Sequence, residues 1–313
     1  MKTQPIKLTI AIPSRTIPET LFYLLEEIEN QIRHIETPHI LDVVVSLNTK
    51  RRVNLDRLKH FTHGWARIIE NNSGETYDEH LDFIVSNAEG KWIKFIADDD
   101  ILLPNALTEL LILLEKKSDI AGLVHDFSYL HNEINLDKVE SSVALSSVSE
   151  ASGQWGQLSC TLFSRLAWIN LPTVRETDYL HAFKFELIMD RTPKQVYYYD
   201  RQLVAVRPGS PNFTRDSSQR IEVASRSVYV IKLLCEHGVS HFRIAKRKKR
   251  SLVDFSRTLA FVRLESGESY AKLAKRVLRY FPFNFWNICI LLVLILPLSW
   301  LNIIKKFVRK IQN

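Results

Sequence analysis

Short apolar runs alternate with stretches of helical periodicity through the first 127 residues of the chain. The run at 8–12 ends at a proline, and leucine and isoleucine then recur every three or four residues as far as 35. Continuous apolar runs of this length are typical of buried strands, whereas the longer spacing is typical of amphipathic helices. The same alternation continues, with predicted strands at 41–47, 66–70, 91–97 and 120–127 and predicted helices at 77–88 and 104–117. It predicts an α/β fold whose central sheet is mostly parallel and flanked by helices.

The first helix has a recognisable start. Thr16 and Glu19 have the spacing of a capping box, and Pro18 suits the first turn of a helix. We therefore expect this helix to begin at Thr16.

Three consecutive carboxylates, Asp98, Asp99 and Asp100, follow the apolar run 91–97. Adjacent carboxylates raise one another's pKa unless a cation or hydrogen-bond donors neutralise them. Mg²⁺ or Mn²⁺ prefers such oxygens and commonly takes its remaining ligands from water and a substrate's phosphates. The alternative is a solvated acidic turn, because acids are frequent near the N-termini of helices.

The position of this triplet along the predicted sheet favours a binding site. In open parallel sheets, ligands bind beyond the carboxyl ends of the strands. The loops at 13–15, 47–52 and 98–100 each follow a predicted strand, so we expect them to converge at one edge of the sheet.

Charge divides the chain into two parts. The net charge of +7 over 313 residues combines a balance of −6 in residues 1–240 with +13 in residues 241–313. The basic tail favours an anionic partner. We predict no nucleic-acid partner, because no aromatic reader module or recognition-helix pattern accompanies the basic run at 243–250. The polar N-terminus resembles no signal peptide, and three widely spaced cysteines indicate reduced thiols, so we expect a cytoplasmic setting.

The apolar segment 281–304 predicts association with a membrane. Its length suffices to cross a bilayer, but Pro297 and several polar residues interrupt it. Basic clusters lie on both sides, at 272–279 and 305–310, and the positive-inside rule places such flanks in the cytoplasm. A monotopic or re-entrant segment fits this better than a single crossing, although a buried helix or an oligomer contact remains an alternative.

The order of four segments resembles family 2 glycosyltransferases with the GT-A fold. These are residues 8–15, 43–48, 72–74 and 90–102, the last containing Ile96-Ala97-Asp98-Asp99-Asp100. The resemblance implies transfer of a sugar from a nucleotide-sugar donor, with inversion at the anomeric carbon. It also implies that Asp100 and Asp98 hold Mn²⁺ or Mg²⁺ at the donor diphosphate, with Asp100 as the direct ligand and Asp98 nearer the ribose and base. Asp99 is expected to contact substrate.

The resemblance further implies a general base well downstream of the metal motif. Glu176 and Asp178 are the candidates, with Asp178 slightly favoured, although capping of the following helix would explain Asp178 equally well. On the donor side, Pro13, Ser14 and Arg15 are expected to contact substrate. Asn48 stands where the family commonly has a base-reading Asp, and the Gln-x-x-Arg-Trp motif of processive synthases does not appear, which favours addition of a single sugar.

These observations predict a GT-A domain over residues 1–215 and a basic helical region over 216–313 that carries the membrane-associating segment. The predicted enzyme adds one sugar to a lipid-linked or other membrane-bound glycan at the cytoplasmic face of a bacterial inner membrane, as in surface-polysaccharide assembly. Two alternatives are a sugar-1-phosphate nucleotidyltransferase and a non-catalytic sugar-nucleotide-binding protein. The sequence does not determine the oligomeric state.

Overall fold

A computed structural model describes residues 7–48, 54–71, 76–129, 145–147, 157–174, 180–207, 229–241 and 244. The chain divides into two compact units, Met1–Pro208 and Gly209–Asn313. The first contains the sheet and the acidic triplet, and the description below concerns it unless stated otherwise.

The first four strands form the parallel half of the sheet. They are β1 (Leu8–Ser14), β2 (Leu41–Asn48), β3 (Arg67–Asn71) and β4 (Trp92–Phe95), arranged in the order β3-β2-β1-β4. Every residue of β1 and β4 is buried, because helices cover both faces of such a sheet, and this explains why apolar residues predominate in both strands. These strands confirm the alternation predicted from the sequence.

The helices of this half are α1 (Glu19–Arg33), α2 (Asp56–Thr62), α3 (Tyr77–Asn87) and α4 (Ala106–Lys116). The predicted start of α1 at Thr16 is wrong: the helix begins at Glu19, and Pro18 precedes it without a side-chain cap. The Thr16 carbonyl instead accepts a hydrogen bond from the Ser14 hydroxyl. A complete capping box occurs at the start of α3, between Thr76 and Glu79.

The second half of the sheet is mixed. Its elements are β5 (Ile101–Leu102), β6 (Gly122–Tyr129), β7 (Leu145–Ser147), β8 (Thr161–Ser164), α5 (Arg165–Ile169), α6 (Leu180–Arg191) and β9 (Val196–Val206). From β4 the order continues β8-β6-β9-β5, and β7 also pairs with β9. β8 enters between β4 and β6 and runs antiparallel to both. Parallel pairing therefore holds for the first four strands and again for β6 with β9, while β5, β7 and β8 pair antiparallel with their neighbours.

An aromatic cluster packs beneath this junction. Phe163 of β8 contacts Trp168 and Phe185 edge to face, with ring centroids 4.8 and 5.8 Å apart, and Phe95 of β4 lies 5.3 Å from Trp168. Such pairs stabilise a core beyond their area burial. The cluster ties α5 and α6 to the centre of the sheet.

The amino edge of the sheet, where β1, β2 and β4 begin, is closed by a polar network around Asp42. This buried carboxylate accepts hydrogen bonds from the Thr9 hydroxyl at 2.9 Å, from two nitrogens of Arg67 at 2.8 Å each, and from the amide of Glu89 at 3.1 Å. Gly90 is needed beside it, since a Cβ there would lie 2.4 Å from the Thr9 nitrogen.

In the second unit, residues 229–236 are helical. No helix within the described ranges is sufficiently long and apolar to cross a membrane. The predicted segment 281–304 lies outside those ranges, as do most of the serine-rich residues between 130 and 156.

Candidate active site

The carboxyl edge of the sheet, where β1, β2 and β4 end, collects the predicted donor-side residues. Ser14 ends β1 and Asn48 ends β2, with Ser14 in register with Leu47 and Asn48 in register with Asn71. The acidic triplet follows the end of β4 after two residues. The structure therefore places the loops at 13–15 and 98–100 and the end of β2 together, as the sequence predicted.

Asp98 makes the direct contact between two of these loops. Its Oδ2 lies 2.5 Å from the Ser14 hydroxyl, which also contacts the Thr16 carbonyl. A serine hydroxyl has one hydrogen to share between these two acceptors. The Asp98 carboxylate thus keeps most of its capacity to accept further donors or to bind a cation.

Asp100 turns into the protein. It is buried, its Oδ2 accepts from the Ser159 hydroxyl at 2.5 Å, and its Oδ1 accepts from the amide of Arg207 at 3.2 Å. The Ser159 hydroxyl oxygen accepts in turn from the amide of Ala97 at 2.8 Å. Both oxygens of this carboxylate are therefore held in fixed directions.

Asp99 differs from its neighbours, because its side chain makes no hydrogen bond with any residue in the described ranges. Its backbone carbonyl accepts from the guanidinium of Arg207 at 3.3 Å. Those ranges also contain no group of three His, Cys, Asp or Glu side chains arranged to hold a metal ion. A cation at the triplet would therefore need oxygens from water or phosphate as further ligands, a common arrangement for Mg²⁺.

The electrostatics of the triplet favour binding of a cation. Burial raises the pKa of Asp98 to about 6, partly offset by its hydrogen bond with Ser14. Burial likewise raises the pKa of Asp100 to about 6, against the bond from Ser159. The charge of Asp99 adds to both shifts. No lysine, arginine or histidine side chain of the described residues forms an ion pair with the triplet. An all-oxygen donor set of this kind suits a hard divalent ion.

The comparison with solved structures identifies the architecture. S. aureus TarS residues 1–349 in complex with UDP gives a TM-score of 0.59 at 9% identity, covering 88% of this chain and 81% of that one. Mannosyltransferase PcManGT from Pyrobaculum calidifontis, in complex with GDP-Man and Mn²⁺, gives 0.52 at 14% identity, covering 96% and 90%. The fold is that of the GT-A glycosyltransferases. No protein-family model matches the sequence, and no curated protein matches it.

Two further predicted donor-side residues lie at the same edge of the GT-A sheet. Asn48 is buried at the end of β2. Arg15 is exposed, and its positive charge acts on the side chain of His80 in α3. The imidazole of His80 lies 2.8 Å from the Ser46 hydroxyl. Burial, reinforced by Arg15, lowers the pKa of His80 to about 4, so this histidine is neutral. Arg15 is thus an exposed positive charge at the carboxyl edge, where an anion could bind.

The base candidates Glu176 and Asp178 lie outside the described residues. The residues on either side of them are tied to α3, which begins at the carboxyl edge. The Thr173 hydroxyl donates to Asp82 at 2.5 Å, and the amide of Leu180 donates to the buried Asp78 at 3.0 Å. The start of α6 at Leu180 agrees with the helix predicted to follow Asp178.

Three residues of the GT-A site were missed by sequence reasoning. Ser159 and Arg207 reach Asp100 across 59 and 107 residues of chain, and Lys94 lies beneath the triplet within β4. The first two have no local pattern that marks them. Lys94 did give a signal, since it is a charged residue at the centre of an apolar run.

Proposed function

We propose that this chain is an inverting, metal-dependent glycosyltransferase that moves one sugar from a nucleotide-sugar donor to a membrane- or lipid-linked glycan. The observation that carries the proposal is the acidic triplet, which follows a central strand of a GT-A sheet, includes the buried Asp100 and forms no ion pair with a side chain of the described residues. The complexes of TarS with UDP and of PcManGT with GDP-Man and Mn²⁺ support a nucleotide-sugar donor and a divalent metal.

The donor diphosphate is assigned to the triplet and its basic neighbours. Asp100 and Asp98 would hold Mn²⁺ or Mg²⁺, and the bound ion would act as a Lewis acid on the departing diphosphate. Arg207 lies against the triplet and Arg15 lies at the end of β1, so their guanidinium groups are suited to the phosphate oxygens. Ser14 fixes Asp98, and Asn48 and Asp99 are assigned to the nucleoside.

Inversion requires a base on the acceptor side, on the opposite face of the sugar from the diphosphate. Asp178 is assigned this role, with Glu176 as the alternative. The residues on either side of Glu176 and Asp178 form hydrogen bonds with α3, which begins at the carboxyl edge. These bonds support the assignment. Asp178→Asn is expected to keep donor binding and to stop transfer, and an unchanged transfer rate would move the role to Glu176.

The acceptor is assigned to the cytoplasmic face of a membrane because of the basic tail and the apolar segment 281–304. Basic residues near an anionic bilayer each contribute about 1 kcal/mol of attraction. Removal of residues 281–313 is expected to shift the protein from the membrane to the soluble fraction. Continued sedimentation with membranes would contradict the tail as the anchor.

A donor panel tests the central proposal. The full chain is incubated with Mn²⁺ and a set of UDP-, GDP- and dTDP-sugars, together with membranes as the source of acceptor, and release of nucleoside diphosphate is measured. If the protein is a transferase, nucleoside diphosphate is released from one of the donors, and this release requires the metal. Consumption of a nucleoside triphosphate with release of pyrophosphate would instead indicate nucleotidyl transfer, and metal-dependent binding without turnover would indicate a non-catalytic binder.

A further inference from the structure

Lys94 lies in the centre of the sheet and forms no ion pair with a described residue, although the charge of Asp100 acts on it from a greater distance. Its side chain is 0% exposed, and no carboxylate of a described residue lies within ion-pair distance. Burial lowers the pKa of this lysine to about 7, which shows how costly its charge is there. Buried lysines are normally paired. The other deeply buried lysine in the described part of the chain, Lys184, follows that rule, with Asp82 at 2.9 Å.

The contacts of Lys94 fix the direction of its amine. Nζ donates to the carbonyl of Ser159 and to Nε2 of His125, the latter at 2.7 Å. The other ring nitrogen, Nδ1, lies 2.7 Å from the carbonyl of Asp126, which can only accept. Nδ1 therefore carries the hydrogen, and Nε2 accepts from Lys94. Because there are two acceptors, even a neutral amine with two hydrogens satisfies both.

Ser159 connects this lysine to the acidic triplet. Its carbonyl accepts from Lys94, while its hydroxyl donates to Asp100 Oδ2 at 2.5 Å. The amide of Ala97 donates to the same hydroxyl oxygen at 2.8 Å, which leaves the hydroxyl hydrogen directed at the carboxylate. The orientation of Asp100 therefore depends on where the Ser159 peptide is held.

We propose that Lys94 is a positioning residue, which anchors Ser159 and thereby fixes the Asp100 carboxylate in the direction that a divalent cation requires. This inference rests on the proposed function, in which Asp100 is a metal ligand. Outer-shell partners of metal ligands typically contribute about 10- to 100-fold to metal affinity or activity. A purely electrostatic role predicts the opposite sign, because removal of a positive charge near the site would tighten binding of a cation.

The test measures Mn²⁺ affinity from the paramagnetic resonance signal of free Mn²⁺, with the full chain and saturating UDP or GDP. Lys94→Met keeps the length of the side chain and removes the amine, whereas Ser159→Ala removes the hydroxyl and leaves the carbonyl for Lys94. Both variants are expected to raise the Mn²⁺ dissociation constant about tenfold or more. Lys184→Met is the matched control: it also removes a buried lysine, and it is expected to leave the Mn²⁺ constant unchanged.

Thermal unfolding of each variant establishes that it is folded. Unchanged or tighter Mn²⁺ binding by folded Lys94→Met overturns the inference, and if that variant does not fold, unchanged binding by Ser159→Ala overturns it. Asp100→Asn separates this inference from the proposed function. If Asp100→Asn binds Mn²⁺ normally, the metal assignment itself fails. If it loses Mn²⁺ while Lys94→Met and Ser159→Ala bind like the wild type, only the positioning role fails.

Discussion

The two edges of the same sheet carry buried or half-buried carboxylates in opposite electrostatic settings. At the amino edge, Asp42 is paired with the guanidinium of Arg67 and receives two further hydrogen bonds. At the carboxyl edge, Asp98 and Asp100 receive hydroxyl and amide hydrogens but no side-chain cation of the described residues. The first carboxylate is neutralised by the protein itself and serves stability. The others are left for a ligand to neutralise, which is the arrangement expected of a binding site.

Asp100→Asn gives the largest expected effect. Turnover should fall about a thousandfold, because a metal ion contributes several kcal/mol to stabilisation of the leaving group. The metal-free melting temperature should stay the same or rise, since the substitution removes a buried charge that lacks a counterion. Calorimetry measures the melting temperature, and the donor assay measures the turnover. Lost activity accompanied by a strong loss of stability would make Asp100 a structural residue like Asp42.

Asp42→Asn should give the reverse pattern. It removes a charge-assisted pair with Arg67, at a cost of about 2 kcal/mol of unfolding free energy. For a unit of this size, that lowers the melting temperature by roughly 6 °C. The turnover of the folded protein should remain near that of the wild type. If Asp42→Asn kept full stability and lost most of its turnover, Asp42 would not be the structural carboxylate that distinguishes the amino edge from the carboxyl edge.

The response to pH tests the same comparison without a mutation. Asp98 and Asp100 have pKa values of about 6 in the folded chain, against an ordinary value of 3.8. The folded state therefore binds more protons than the unfolded state between about pH 4 and 6, and the stability these groups provide is lost as pH rises through 6. Added Mn²⁺ should reverse this, because it competes with the protons.

With Mn²⁺ at about a hundred times its dissociation constant, the stabilisation at pH 7.5 should be about 2.7 kcal/mol, and roughly half of that at pH 5.5. The increase in melting temperature on addition of Mn²⁺ at the two pH values provides the measurement. An equal increase at both would mean that the ion binds elsewhere than at these carboxylates.

Ser14→Ala should give the smallest of these effects. It removes one hydrogen bond to Asp98, worth about 1 kcal/mol, so we expect the donor KM to rise about fivefold with little change in stability. Steady-state kinetics on the donor found in the panel provide the check. A change as large as that of Asp100→Asn would give Asp98 the principal metal role.

The parts of the fold that the sequence predicted are those with long local patterns. β1 and β2 are buried strands of seven and eight residues built around the apolar runs 10–12 and 43–45, and the edge they form followed from their order along the chain. β5 and β8 were missed because two and four residues are too short for a period to show. The capping-box prediction at Thr16 was wrong. The spacing marks a helix start only where the backbone enters the helix directly after the capping residue.

The candidate site divides in the same way. The triplet and Ser14 lie directly after strands, where the rule for parallel sheets applies, and the contact between Asp98 and Ser14 agrees with it. Ser159 and Arg207 reach Asp100 from the mixed half of the sheet. Ser159 lies just before β8, which enters antiparallel beside β4, and Arg207 follows β9, which pairs with β5 and β6. No pattern within the first 127 residues specifies these pairings.

This insertion of β8 determines when the site can be assembled. All three acids lie in the first third of the chain, yet the groups that orient Asp100 arrive 59 and 107 residues later. Contacts of such separation form late in folding, because closure of long loops costs entropy before the contact is made. A ribosome-bound chain ending at residue 127 would carry the whole triplet without these supports. Metal affinity should therefore reach its full value during synthesis only after residue 207 has emerged.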